Sequence, residues 1–271
     1  MNKDGVFKCP VCKKMLVRNG EIMKCESNHS FDVSSANYVN LAMNQSGKTH
    51  GDDAFMVNAR RNFLSGGYYE KLRKEICLAV ENAGGITVLD AGCGEGYYTF
   101  ALGGIAGTTI YGIDVSKKAV MRAGKLCKGD SFGTFCVGSV YSMPYADNSF
   151  DVIVNIFSPL ACDEYKRVLR SGGRLIMAVP NPEHLIQLKR AVYDEIKIKE
   201  ESDDTLCGFE MINKKRVNYT FTPKDTKAIE DLFAMTPYYY TTPAEKRSRI
   251  MNSGIFDITA DFSVITYKII K

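Results

Sequence analysis

The chain has 271 residues, 45% of them hydrophobic and 24% charged, with a formal net charge of +4. That length accommodates one sizeable domain plus a small one, and the composition excludes disordered and fibrous classes. No apolar run approaches the ~20 residues needed to cross a bilayer. The N-terminus lacks the apolar core of a secretory signal, so a cytoplasmic location is expected. The mild positive excess permits an anionic partner without demanding one.

The first chemistry in chain order is metal binding. Cys9, Cys12, Cys25 and His29 form a C-x2-C-x12-C-x3-H pattern. Two tight turns each supply two ligands, and Cys3His is a closed tetrahedral zinc set with no position left for water or substrate. Met15-Leu16-Val17, a turn at Arg18-Asn19-Gly20, and Ile22-Met23-Lys24 predict a zinc-ribbon-like hairpin. So short a module has little core of its own, so metal binding supplies much of its folding free energy. A redox CxxC would want a βαβ setting, which is missing here. Of the nine cysteines, Cys77, Cys93, Cys127, Cys136, Cys162 and Cys207 are expected as buried small apolar residues.

The zinc-binding module is expected over residues 1–45, followed by a linker and connecting helix over 46–67. Asn44 to Asp53 is polar and glycine-bearing and reads as a loop, with His50 a solvated loop residue. Asp53 is placed to cap a helix running from Ala54 to Leu64, which Gly66-Gly67 would stop. Arg60 and Arg61 on that helix are candidate contacts to RNA phosphates, which a planar guanidinium fork suits. A solvated or internally paired helix face is the simpler reading of these residues taken alone.

The third segment, residues 68–271, alternates strand and helix. Strands are expected at 86–91, 108–113, 134–138, 150–157 and 173–180, and helices at 97–104, 116–127, 161–169 and 183–199. This alternation predicts an α/β fold with a doubly wound, mostly parallel sheet. Strands at 217–222 and 262–267 flank a helix at 224–234 and suggest a terminal antiparallel hairpin. Val88 to Thr99 reads as strand, glycine-rich turn and helix, with Gly92, Gly94 and Gly96 at alternate positions. Asp114 ends the next strand about 20 residues on, where an acid takes ribose hydroxyls. A dinucleotide pyrophosphate prefers G-x-G-x-x-G. Here Asp90 precedes the turn and Glu95 lies inside it, which suits a cationic ligand better.

The Val88–Thr99 stretch resembles the first motif of class I S-adenosylmethionine-dependent methyltransferases. The wider set includes the Cys9, Cys12, Cys25, His29 pattern, Tyr38-Val39-Asn40-Leu41, Gly51-Asp52, Ala59-Arg60-Arg61, Phe63-Leu64, Gly67 and Tyr69. It continues with Asp90–Thr99, Gly112–Lys117 and Pro180-x-Pro182-x-His184-Leu185, and resembles the bacterial 23S rRNA (guanine-N1)-methyltransferases over essentially the whole chain. That resemblance implies a seven-stranded Rossmann-like sheet with an N-terminal zinc ribbon. It implies S-adenosylmethionine as donor, N1 of a guanine in a 23S rRNA hairpin as acceptor, and a homodimer. It also implicates Tyr69 and His184 in donor binding beside Asp90, Gly92, Gly94, Glu95, Gly96 and Asp114. Ser139 and Val140 should border the adenine. Phe157, Ser158 and Pro159 should face the transferred methyl, with Phe157 either stacking on guanine or packing in the core. Ser158, Asp163 and Glu164 are the nearest candidates for a base. Tyr238-Tyr239-Tyr240 either lines the cleft or packs. Two other readings compete: a small-molecule methyltransferase, and a non-enzymatic RNA-binding protein with a relic cofactor fold. The zinc pattern weighs against the first, the intact glycine turn against the second.

Overall fold

The computed structural model describes residues 5–43, 54–193, 204–236, 238–252 and 254–271. The loop expected over Asn44–Asp53, with His50 and the Asp53 cap, lies outside the described residues, as do residues 194–199 of the helix expected to reach 199.

The chain opens with four short strands, β1 (Leu16–Asn19), β2 (Ile22–Cys25), β3 (Ser30–Ser34) and β4 (Tyr38–Asn40). Helices α1 (Ala54–Ser65) and α2 (Glu70–Ala83) follow, and the first ends where Gly67 N–H bonds the Leu64 carbonyl at 3.0 Å. Then come β5 (Thr87–Ala91), α3 (Tyr97–Leu102), β6 (Thr109–Asp114), α4 (Lys117–Leu126), β7 (Phe135–Val137), β8 (Phe150–Ile156) and α5 (Cys162–Val168). The last part holds β9 (Leu169–Pro180), α6 (Ile186–Val192), β10 (Phe209–Phe221), α7 (Thr226–Ala234), α8 (Tyr238–Thr241), α9 (Ala244–Asn252) and β11 (Ile258–Ile269).

The described strands join in one sheet of order β1-β2-β3-β4-β7-β6-β5-β8-β9-β11-β10. Its last seven, β7 to β10 in that order, are the expected mostly parallel sheet. β7, β6, β5, β8 and β9 run parallel, and β11 is antiparallel to both β9 and β10. The central strands are buried on both faces, which is why β5 reads TVLDA and β8 FDVIVNI with hardly a polar alternation. The order reverses between β5 and β8, so the crevice at their carboxyl ends is a topological switch point.

Three features depart from the sequence reading. The zinc module continues the main sheet: β4 pairs in parallel with β7 through Tyr38, Val39 and Asn40. An uncovered β7 would present unpaired amides, and β4 satisfies them. Second, β10 and β11 run far beyond 217–222 and 262–267. The extra half of β10 is mostly exposed and charged, so it carried no hydrophobic signal. Third, α8 and α9 were not anticipated, because α8 has no buried residue and α9 is rich in charge.

The module is also seated on α4. A Cβ added to Gly124 would meet the Ala36 carbonyl oxygen at 1.9 Å. Gly to Ala inside a helix ordinarily stabilises by about 1 kcal/mol, but a backbone oxygen cannot move aside as a side-chain tip can. Gly124→Ala is therefore expected to destabilise by about 1–3 kcal/mol through overpacking, read as a lower midpoint in urea unfolding. An unchanged or raised midpoint would show that the module does not rest on this helix.

Candidate functional site

Strand β5 delivers Asp90 and Ala91 into the turn, where the backbone rather than side chains shapes the site. Gly92, Gly94 and Gly96 all have positive φ, at 92°, 52° and 90°. Gly92 and Cys93 N–H both bond the Ile113 carbonyl, at 2.8 and 3.0 Å, which locks the turn to β6. At Gly92 a Cβ would lie 2.2 Å from Ser158 Oγ. The end of β8 thus comes directly against the glycine turn, and a side chain there would push them apart.

Asp114 is held by two main-chain donors. Gly94 N–H reaches Oδ2 at 3.1 Å, and Ser116 N–H reaches Oδ1 at 2.8 Å. Ser116 then caps α4 by accepting from Ala119 N–H at 3.4 Å, as its sequence position suggested. Asp90 is 2% exposed and accepts from Thr99 Oγ1 at 2.6 Å. Burial pushes its carboxyl up to about 7, against the Thr99 bond that lowers it and with the nearby Asp114 adding to the rise. The Glu95 side chain is buried in the same turn. Ser139 and Val140 follow β7, with Val140 buried and Gly138 N–H bonded to the Asp114 carbonyl at 3.0 Å. The turn, Asp114, Ser139 and Val140 are thereby gathered along one rim of the sheet.

Tyr69 and His184, far apart in sequence, also meet. Tyr69 is buried among Phe63, Phe221 and Phe262, with centroid distances of 5.1, 6.4 and 5.0 Å. Its hydroxyl lies 3.3 Å from His184 Nε2, while Asp261 N–H donates to His184 Nδ1 at 3.3 Å. A backbone amide can only donate, so Nδ1 is the acceptor and the ring proton sits on Nε2. That proton is given to the Tyr69 oxygen, which leaves the Tyr69 O–H to donate elsewhere. Burial lowers the His184 pKa to about 3, with Lys189 adding to the fall, so the ring stays neutral near pH 7. Behind it, Asp261 accepts two bonds from Arg216 at 2.9 and 2.8 Å and one from Asn181 at 2.9 Å.

Phe157 has a φ of 54° and is 47% exposed, with its ring 5.5 Å from that of Phe262. The following loop is pinned where Pro159 O accepts from Asn155 Nδ2 and Tyr165 Oη, both at 3.1 Å. The strained, exposed aromatic stands at the end of β8, beside the Gly92–Ser158 contact. This is the segment that the sequence reading named for the acceptor. The candidate bases fare differently. Glu164 is bound to Arg167 at 2.7 Å and to Met143 N–H at 2.6 Å, and Asp163 pairs with Lys166 at 2.8 Å. Burial raises Glu164 most, but the Arg167 bonds and charge together with the Met143 amide outweigh it and leave its pKa below the usual range. Both acids serve the structure of α5 and the loop before β8.

The N-terminal cluster is equally definite. The ligand atoms of Cys9, Cys12, Cys25 and His29 all lie within 4.8 Å of one another. Cys9 Sγ and Cys25 Sγ lie 3.6 and 3.4 Å from His29 Nδ1, and Cys12 Sγ lies 3.6 Å from Cys25 Sγ. A tetrahedron with metal–sulfur bonds of ~2.3 Å has edges of about 3.8 Å, so these atoms fit one zinc ion. Of the remaining cysteines, Cys93, Cys127 and Cys136 are buried as expected, but Cys77 and Cys162 are only half-buried and Cys207 is exposed. The apolar-filler reading holds in the glycine turn, at the end of α4 and in β7, and fails for Cys207, which precedes the exposed half of β10. Arg60 and Arg61 part company. Arg61 is exposed, whereas Arg60 is half-buried with Nη1 4.0 Å from where a Gly94 Cβ would sit.

Two outcomes are expected. Because the folded state raises the Asp90 pKa from 3.8 to about 7, it binds more protons than the unfolded chain between those values. The associated stability is present below pH 3.8 and is lost as pH rises through 7. Asp90→Asn should therefore raise the melting temperature relative to wild type at pH 8 and lose that advantage near pH 4. Chelation should remove one zinc per chain, measured by elemental analysis, and speed amide exchange over residues 7–33 while β5 and β8 stay protected.

Residues 82–228 match the methyltransferase-domain family profile, and residues 7–46 match that of the RlmA N-terminal zinc ribbon. The Bacillus subtilis (strain 168) protein YxjB, provisionally named a 23S rRNA (guanine-N1)-methyltransferase, is 31% identical over 96% of each chain. The 23S rRNA (guanine(748)-N1)-methyltransferase of Streptomyces fradiae is 28% identical over 93% of each chain. By contrast, the 2-methyl-6-phytyl-1,4-hydroquinone methyltransferase of Synechocystis sp. is 33% identical over only 35% of this chain and 32% of its own. With a profile match for each module and relatives that run the whole length, the chain belongs to the 23S rRNA (guanine-N1)-methyltransferase family of S-adenosylmethionine-dependent enzymes with an N-terminal zinc ribbon.

Proposed function

We propose that the protein transfers a methyl group from S-adenosylmethionine to N1 of a guanine in a 23S rRNA hairpin. The single observation that carries this reading is the full-length likeness to the guanine-N1 enzymes, zinc ribbon included, where the hydroquinone methyltransferase matches only 35% of the chain. The donor brings an activated methyl on a sulfonium, so the chain's task is alignment, which can contribute up to roughly 7–11 kcal/mol. Gly92, Gly94 and Gly96 admit the donor close to the backbone, and Asp114 takes ribose hydroxyls. Ser139 and Val140 border the base, and the Tyr69 O–H, oriented by His184, donates toward the methionine end. Glu95 and Asp114 give the rim the negative charge that a sulfonium wants, and Asp90 adds to it as it ionises through about pH 7.

N1 lies on the Watson–Crick edge, so the guanine is unpaired or flipped out to be reached. Phe157, exposed at the end of β8, stacks on it, and Ser158 and Pro159 hold that ring against the glycine turn. Transfer would form the N1–carbon bond as the sulfur–carbon bond breaks, with S-adenosylhomocysteine as the leaving group and the N1 proton passing to water. The zinc module of residues 1–45 grips the RNA stem, the segment 46–67 with Arg61 contacts phosphates, and residues 68–271 carry the chemistry. The enzyme works in the cytoplasm, on ribosomal RNA, as a homodimer.

The test is to incubate the protein with an unmodified 23S rRNA hairpin and labelled donor, then map the modified base by primer-extension arrest. Transfer to a guanine N1 is expected, and robust transfer to a small metabolite with none to RNA would overturn the assignment. A stacking contact is worth ~1–3 kcal/mol. Phe157→Ala should thus lower kcat/KM for the hairpin about 5- to 150-fold while donor affinity is kept.

A further inference from the structure

The sequence pairs Arg60 with Arg61, but the fold separates them. Successive residues on a helix point about 100° apart. Arg61 faces solvent, and Arg60 lies half-buried on the side of α1 that also buries Phe63 and Leu64. Its Nη1 comes within 4.0 Å of the position a Cβ would take on Gly94, the middle glycine of the turn. The Gly94 amide is directed away, to Asp114. The positive field of Arg60 also reaches Tyr98 at the start of α3, whose buried hydroxyl has no hydrogen-bond partner among the described residues.

We propose that Arg60 belongs to the donor site, where its guanidinium takes the carboxylate of the methionine end of S-adenosylmethionine. The argument is one of charge. The turn and its neighbour strand present Glu95 and Asp114, joined by Asp90 as it ionises through about pH 7, and these complement a sulfonium and an ammonium but repel a carboxylate. A donor that carries all three groups needs a cation at one point of an otherwise acidic rim. The nearby Arg73 is placed otherwise, its guanidinium 4.9 Å from the Tyr97 ring centroid. Arg60 reaches the turn from α1, which lies outside the strand–turn–helix unit. A planar fork suits a carboxylate, with two parallel N–H bonds. The helix joining the zinc module to the methyltransferase core thereby contributes to the donor pocket, and RNA phosphate is left to Arg61.

The inference rests on the donor reading above and is independent of the RNA substrate. The experiment compares two ligands by calorimetry: S-adenosylhomocysteine, and its decarboxylated form S-adenosyl-3-thiopropylamine, which lacks only the carboxylate. Arg60→Ala should weaken S-adenosylhomocysteine at least ten-fold and leave the decarboxylated ligand within two-fold of wild type. Arg60→Lys should recover part of the loss, and Arg61→Ala should leave both affinities unchanged. Equal weakening of both ligands by Arg60→Ala would reduce the residue to a packing role and overturn the proposal, as would no change in either. Tight binding of S-adenosylhomocysteine by wild type with no methyl transfer to the rRNA hairpin would refute the RNA substrate and leave the role of Arg60 standing.

Discussion

A backbone approach that admits no side chain governs this protein. Gly92 lies so close to Ser158 that any β-carbon would overlap it, and the carboxyl ends of β5 and β8 therefore meet. From that contact the rest of the site follows. The turn must be glycine-rich, Asp114 must be held by main-chain amides, and Phe157 must leave β8 in a left-handed conformation with its ring exposed. Strain at an exposed aromatic is tolerated only where neighbours fix it, and the Asn155–Pro159–Tyr165 bonds do so.

The parts of this design that were legible in the sequence share one property: local chemistry dictated them. The metal set is readable because thiols and an imidazole at short spacing have few other uses, and the glycine turn because strand, turn and helix follow one another directly. β5, β6 and β8 announced themselves as buried apolar runs. What stayed hidden depends on contacts between distant segments. Nothing local in Tyr38-Val39-Asn40 says that it pairs with β7, and nothing in the charged half of β10 says strand. The split between Arg60 and Arg61 required knowing where α1 lies against the turn. Tyr69 and His184 had to be drawn from the family likeness, because their meeting spans 115 positions of sequence.

The neutral His184 shows how the fold settles protonation mainly by burial, with the nearby Lys189 adding to the effect. One amide of β11 takes one nitrogen, a phenol takes the other, and the aromatic surroundings exclude the cation. Because its pKa lies near 3, the hydrogen-bond direction through Tyr69 is constant across the physiological range. The titrating group of the site is Asp90 instead, poised by burial near neutrality.

The parallel pairing of β4 with β7 has a consequence for how such enzymes diversify. The zinc ribbon is stitched into the hydrogen-bond ladder of the catalytic sheet, and its loop sits in a notch on α4 cut by a missing methyl. It cannot be exchanged as a cassette, since any substitute module must bring its own strand to close the same margin. Sequence change in the ribbon is thereby channelled into its exposed faces, with the seam to the core held fixed.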